Sequence, residues 1–161
     1  MIVIQTIFYD NCDTPSLLFD PNLFHFPVRD GNSFFRVVSL VLKGKEDDHT
    51  VIRQNVTDFM KTFTEISEVI DQEEISAMAI DKTHACRATI VSAVALYQRA
   101  MLIVSLDPSG KNILCKPRGT DGVCNVGSIC MCVQDGFFMY RREYPTEEEL
   151  SVISYEVASV H

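Results

Sequence analysis

The hydrophobic repeat of this chain changes once, near residue 100, and that change limits the folds available to it. Before Arg99 the apolar residues recur at helical spacing. Phe34, Phe35, Val37, Val38, Val41 and Leu42 mark one stretch, and Val51, Ile52, Val56, Phe59 and Met60 the next. After Arg99 they arrive in short runs, "MLIVSL", "NILCKP", "SICMCVQ" and "FFMYRREY", which read as strands. Helices first and an antiparallel meander afterwards predict an α+β domain, with helices packed on a small, mostly antiparallel sheet. At 161 residues the chain is expected to form a single domain, 1–161, around one core.

Local signals set the element boundaries. Asn32 or Ser33 is placed to cap the first helix and Gly44 to end it as a left-handed C′ residue. The acidic Glu46–Asp48 suits the N-terminus of a second helix, expected from His49 to about Phe63. Residues 64–82 read as one or two short helices, and Ala85 to Arg99 as a well-buried one. Asp107-Pro108-Ser109-Gly110 separates the first two strand runs, and Asp135-Gly136 is a tight hairpin signal between the last two. "MIVIQTIFYD" reads as a first strand or a packed arm. In 145–161, Thr146 is placed to cap a short acidic helix and "SVISYEV" to form an edge strand.

Charge and cysteine content narrow the function classes. A net charge of −8 disfavours nucleic acid or an anionic membrane as the main ligand, since both demand a basic surface. No apolar run is long enough for a spanning helix, and the N-terminus lacks the basic and small-residue features of a signal peptide. An intracellular location, cytoplasmic and/or nuclear, is therefore expected, with Cys12, Cys86, Cys115, Cys124, Cys130 and Cys132 as free thiols. The last four have the spacing C-x8-C-x5-C-x-C, unlike the close pairs of structural zinc sites, so neither metal nor cofactor is expected. The loop Arg118–Gly127 and the run Glu147–Glu149 read as solvated surface.

The segment "VRDGNSFFRVVSLVLKG", Val28–Gly44, carries the functional signal: a short turn, Asp30-Gly31-Asn32-Ser33, runs directly into an amphipathic helix. "DGNSFFRVVS" resembles the Asp-Gly-Asn-Cys motif of the ovarian-tumour (OTU) family of papain-like cysteine deubiquitinases, except at the cysteine. "HTVIR" (His49–Arg53) is similar to that family's next helix start. "ATIVSAVALYQRA", "MLIVSL" and "NILCKP" agree with it in order and spacing, so the likeness covers about 28–144.

The resemblance implies a papain-type fold. It also implies a site in which a thiolate attacks the bond to ubiquitin's C-terminus, a histidine serves as base, and an Asp or Asn two residues later orients the ring. Carried over residue by residue, Ser33 stands at the nucleophile, Phe137 at the histidine and Met139 at the orienting acid, while Asp30, Gly31 and Asn32 remain. Serine depends on a base even more than cysteine does, and neither phenylalanine nor methionine supplies one. The other histidines read differently: His25 as a loop residue, His49 as a helix start, His84 as a loop or cap residue and His161 as terminal.

The expectation is a catalytically inactive, OTU-like protein-binding module or scaffold. Its partner is expected to be a protein, with ubiquitin or a ubiquitin-like protein one candidate and a larger complex another. Phe34, Phe137 and Phe138 are the candidate partner-binding residues. The competing reading is an active ubiquitin isopeptidase, captured as a Cys-to-Ser variant or using another base.

Overall fold

The computed structural model describes residues 2–7, 20–117 and 127–160. Cys12, Cys124, His161 and most of the Arg118–Gly127 loop lie outside them. The described residues form β1 (Ile2–Ile7), a 3-10 turn at Pro21–Leu23, β2 (Phe24–His25), α1 (Ser33–Lys43) and α2 (His49–Thr62). Two short helices follow, α3 (Thr64–Ser67) and α4 (Gln72–Met78), and then α5 (Arg87–Tyr97). The second half holds β3 (Met101–Ser105), β4 (Ile113–Pro117), β5 (Ile129–Gln134), β6 (Phe137–Arg141), α6 (Glu147–Leu150) and β7 (Tyr155–Val160).

Helix boundaries follow the local chemistry. Gly44 ends α1 at φ 78°, and its N–H bonds the Leu40 carbonyl, the left-handed stop expected of glycine. Asp71 caps α4 by accepting the Glu74 N–H. Thr146 and Glu149 form a reciprocal capping box on α6. In α5, six consecutive residues from Thr89 to Val94 are buried.

The sheet departs from the expected meander. Its seven strands run in the order β1-β7-β4-β3-β5-β6-β2. The two hairpins with local turn signals form as expected: β3 pairs antiparallel with β4, and β5 with β6. The connection from β4 to β5 instead places β5 on the far side of β3, parallel to it. Turn residues fix only the neighbour across a short loop, so they carry no information about that pairing. "SVISYEV" is not an edge strand: β7 lies between β1, antiparallel, and β4, parallel. Strand β2, too short to leave a periodic signal, extends the other edge by pairing with β6.

The period of two sorts the strand side chains into two cores. Met101, Ile103, Ile113, Cys115, Ile129, Met131 and Phe138 face α1, α2 and α5. Leu102, Val104, Leu114, Cys130, Cys132 and Met139 face the opposite side, where Leu150, Ile153 and Tyr155 pack with them. Phe34, Phe35, Val37 and Val38 seat α1 in the first core, which fixes the start of this helix over β6.

Candidate functional site

The Asp30-Gly31-Asn32 turn is braced from two sides. Gly31 has φ 85°, and a Cβ there would lie 2.2 Å from the Lys82 carbonyl oxygen, so both conformation and close approach require glycine. The Asp30 carboxylate accepts two bonds from Arg36, at 2.6 and 3.2 Å, and also accepts the Asn32 N–H at 3.0 Å. These donors, Arg36 above all, hold the Asp30 pKa far below the usual carboxylate range.

Asn32 sits at the N-cap of α1, yet its side chain makes no capping hydrogen bond. Its amide oxygen instead accepts from Arg53 Nη2 at 2.8 Å and from the Lys82 N–H at 3.0 Å. Arg53 is 3% exposed and also donates to the carbonyls of Met78 and Thr83, at 2.8 and 2.9 Å. Its guanidinium lies 4.1 Å from the centroid of the Phe35 ring. This bracing role was missed from sequence. The available signal was a cation between Ile52 and Val56 on the apolar face of α2.

Ser33 opens α1 and is 2% exposed. Its Oγ accepts the backbone N–H of Phe138 at 2.9 Å. The Phe138 ring, on the same face of the sheet as α1, meets Phe34 edge-on with centroids 5.3 Å apart. Phe137 and Met139 alternate to the opposite face and pack with the second core. The strand thus offers Ser33 a main-chain donor.

The histidines stand elsewhere. His25 pairs with Glu46, Nε2 to Oε2, at 2.7 Å. His49 starts α2, and burial together with the nearby Arg36 pushes its imidazole pKa down. His84 is exposed against Gly136, where a Cβ would lie 2.1 Å from its Nδ1. Among the described residues no imidazole hydrogen-bonds to Ser33.

Two partner-binding candidates require correction. Phe34 and Phe138 are 1% and 3% exposed, because each buries its ring against the other, and neither presents a docking face. Phe137 is half-buried beneath the Arg29 guanidinium, 4.4 Å from its ring centroid. Phe26 and Val28, a few residues ahead of the turn in the chain, are exposed apolar side chains, and neither stood out in sequence because the segment has no helical or strand period. Cys115, Cys130 and Cys132 are buried free thiols, and burial pushes Cys115 and Cys132 up to about 12. Cys86 is exposed.

No family model matches the chain, and no curated protein matches it in sequence. Solved structures do. The OTU domain of OTUD1 is similar with a TM-score of 0.59 at 17% identity, over 73% of this chain and 83% of that one. The fold is that of the OTU proteases. Other OTU-fold structures agree. The viral OTU domain protease from Qalyub virus is similar with a TM-score of 0.56 at 14% identity, over 73% of this chain and 81% of that one. The Hazara virus OTU, solved bound to ubiquitin, is similar with a TM-score of 0.55 at 11% identity, over 90% of each chain. On this fold, the Asp30–Asn32 turn is held by Arg36, Arg53 and the Lys82 N–H, and the Ser33 hydroxyl meets the Phe138 backbone N–H.

Proposed function

We propose that the chain is an OTU-fold protein-binding module that does not hydrolyse isopeptide bonds. The observation that carries this reading is the environment of the Ser33 hydroxyl. It is enclosed, and it accepts a main-chain N–H from Phe138. A serine nucleophile needs a base within hydrogen-bond reach, and a third group must orient that base. Phe137 and Met139, which align with those two roles in the family motif, are apolar and face away from α1. A triad lacking such members loses on the order of 10⁶ in kcat in the serine-protease case.

The partner is a protein, and ubiquitin or a ubiquitin-like protein is the first candidate, because one structure sharing this fold binds ubiquitin. The exposed apolar side chains of Phe26 and Val28, beside the Arg29–Phe137 pair, supply contact surface a few residues ahead of the turn in the chain. An acidic chain of net charge −8 also suits a partner with a basic face.

The test uses wild type and Ser33→Cys with an electrophilic ubiquitin C-terminal probe, alongside ubiquitin titrations of both proteins. Neither protein is expected to be labelled, and ubiquitin is expected to bind in the micromolar range. Labelling of Ser33→Cys would mean that a base reaches residue 33, and would overturn the inactive reading in favour of an isopeptidase. Absence of both labelling and binding would remove ubiquitin as the partner and leave a domain that serves another protein.

A further inference from the structure

Strand β2 pairs with β6 at only two positions, Phe24 opposite Arg141 and His25 opposite Tyr140. Two residues further on stands Pro27, which has no N–H to continue a ladder. The chain is held there in another way. Val28 donates its N–H to Glu46 Oε1 at 3.2 Å, and His25 Nε2 lies 2.7 Å from Glu46 Oε2. A single carboxylate, in the loop between α1 and α2, thus grips residues 25–28 at both ends. The exposed Phe26 and Val28 side chains belong to this gripped strip.

The carboxylate is itself held in place. Arg36 Nη1 lies 3.9 Å from Glu46 Oε1, and the same guanidinium is fixed by its two bonds to Asp30. The His25 and Glu46 side chains are both half-buried, which screens them less than a pair on the open surface. The surrounding charged and titratable groups are Arg36 from α1, Asp30 from the turn, Asp47 from the loop and Tyr140 from β6. Lys45 and Asp48 of the loop lie 3.9 Å from each other, and Arg141 of β6 is turned to Glu149. His49 acts on the same Arg36, but burial favours its neutral form. Within the pair, His25 is the side chain of the type that changes charge between about pH 5 and 8.

We propose that His25 and Glu46 form a pH-responsive clasp, which tightens when the imidazole is protonated and so fixes how Phe26 and Val28 are presented. A neutral imidazole has two tautomers, and the one protonated at Nδ1 sets a lone pair of Nε2 against the carboxylate. Protonation commits Nε2 to donating and adds a full charge to the bond. The grip is therefore strongest at acidic pH and weakens as the imidazole loses its proton. A strip already held in place costs less to bind. The regulatory role rests on the proposed use of Phe26 and Val28 as partner-contact surface; the clasp itself does not.

The experiment follows the intact chain by NMR from pH 5 to 8.5, reading the imidazoles and the Val28 amide. In wild type the Val28 amide is expected to shift in step with the His25 imidazole. Its protection, corrected for the intrinsic pH dependence of exchange, is expected to be about fivefold greater at pH 5.5 than at pH 8, the gain of one charge-assisted contact. In Glu46→Gln, which keeps an acceptor oxygen without the charge, the imidazole still titrates and the amide is expected not to follow. A Val28 amide that ignores pH in wild type, follows His25 equally in Glu46→Gln, or tracks His49 instead would overturn the clasp. Ubiquitin titrations of wild type and His25→Gln test the regulatory role, and the ratio of their affinities is expected to rise about fivefold from pH 8 to pH 5.5. An unchanged ratio would overturn that role. Ubiquitin that binds at neither pH would overturn the ubiquitin reading alone, because the amides decide the clasp.

Discussion

At the scale of single residues, Asp30 and Asn32 illustrate how much chemistry hides in a short motif. Their presence in a turn before a helix was legible, because Asp-Gly-Asn ahead of an apolar periodic run is a turn signal in its own right. Their partners were not. The Asn32 amide reaches 50 residues along the chain to the Lys82 N–H, and Arg53 reaches it across 21. Asp30 makes a prediction with a definite sign. Its folded pKa lies far below the value near ~3.9 of an unfolded aspartate, because Arg36 bonds the charged form. Its contribution to stability is therefore complete above about pH 4 and is lost as the pH falls through the folded value. Urea midpoints of wild type and Asp30→Asn are expected to differ by a constant amount from neutral pH down to about 5, and to converge below about 4. A difference that grew on acidification would contradict the Asp30–Arg36 assignment.

At the scale of elements, the short acidic stretch near the C-terminus has more structure than its composition suggests. Glu147–Glu149 reads as solvated surface, but Glu149 has two specific partners. Its carboxylate accepts the Thr146 N–H at 3.1 Å and a bond from the buried Arg141 guanidinium at 2.6 Å. Arg141 is 3% exposed and belongs to β6, so the capping box ties α6 to the strand that also meets Ser33. Thr146→Ala removes the acceptor for the Glu149 N–H and is expected to cost about 1 kcal/mol in chemical denaturation. The sequence offered the cap but not the Arg141 bridge, because a charge on a strand otherwise rich in apolar residues does not announce its partner. Helix α1 is the opposite case. Its start, apolar face and glycine stop were all legible, since each depends on residues within one or two turns.

At the scale of the whole molecule, the last strand joins the first strand to the rest of the sheet. β7 bonds to β1 on one side and β4 on the other, with Ala158 facing Ile4 in one register and Cys115 in the other. Ala158→Pro removes an N–H from an interior strand and inserts a ring beside a buried position. The loss is expected to be about 3 kcal/mol or more, seen as a large fall in Tm and as faster hydrogen exchange across β1, β4 and β7 together. An effect confined to the chain terminus would mean that β7 is a dispensable edge.

Local signals in the sequence determined the helices of the first half, the two hairpins, the turn before Ser33 and the absence of any histidine from Ala85 to Val160. All of these rest on periodicity, on turn chemistry or on the simple presence of a residue type within a few positions. Tertiary structure alone decided the parallel pairing of β3 with β5, the interior place of β7, the burial of Phe34 and Phe138, and the encounter of the Ser33 hydroxyl with the Phe138 N–H. It also decided that Arg53 would be a buried cation. These features join residues tens of positions apart, and such contacts form because a shared core must be filled and its polar groups satisfied. That constraint acts on the packed molecule and leaves no period in the chain.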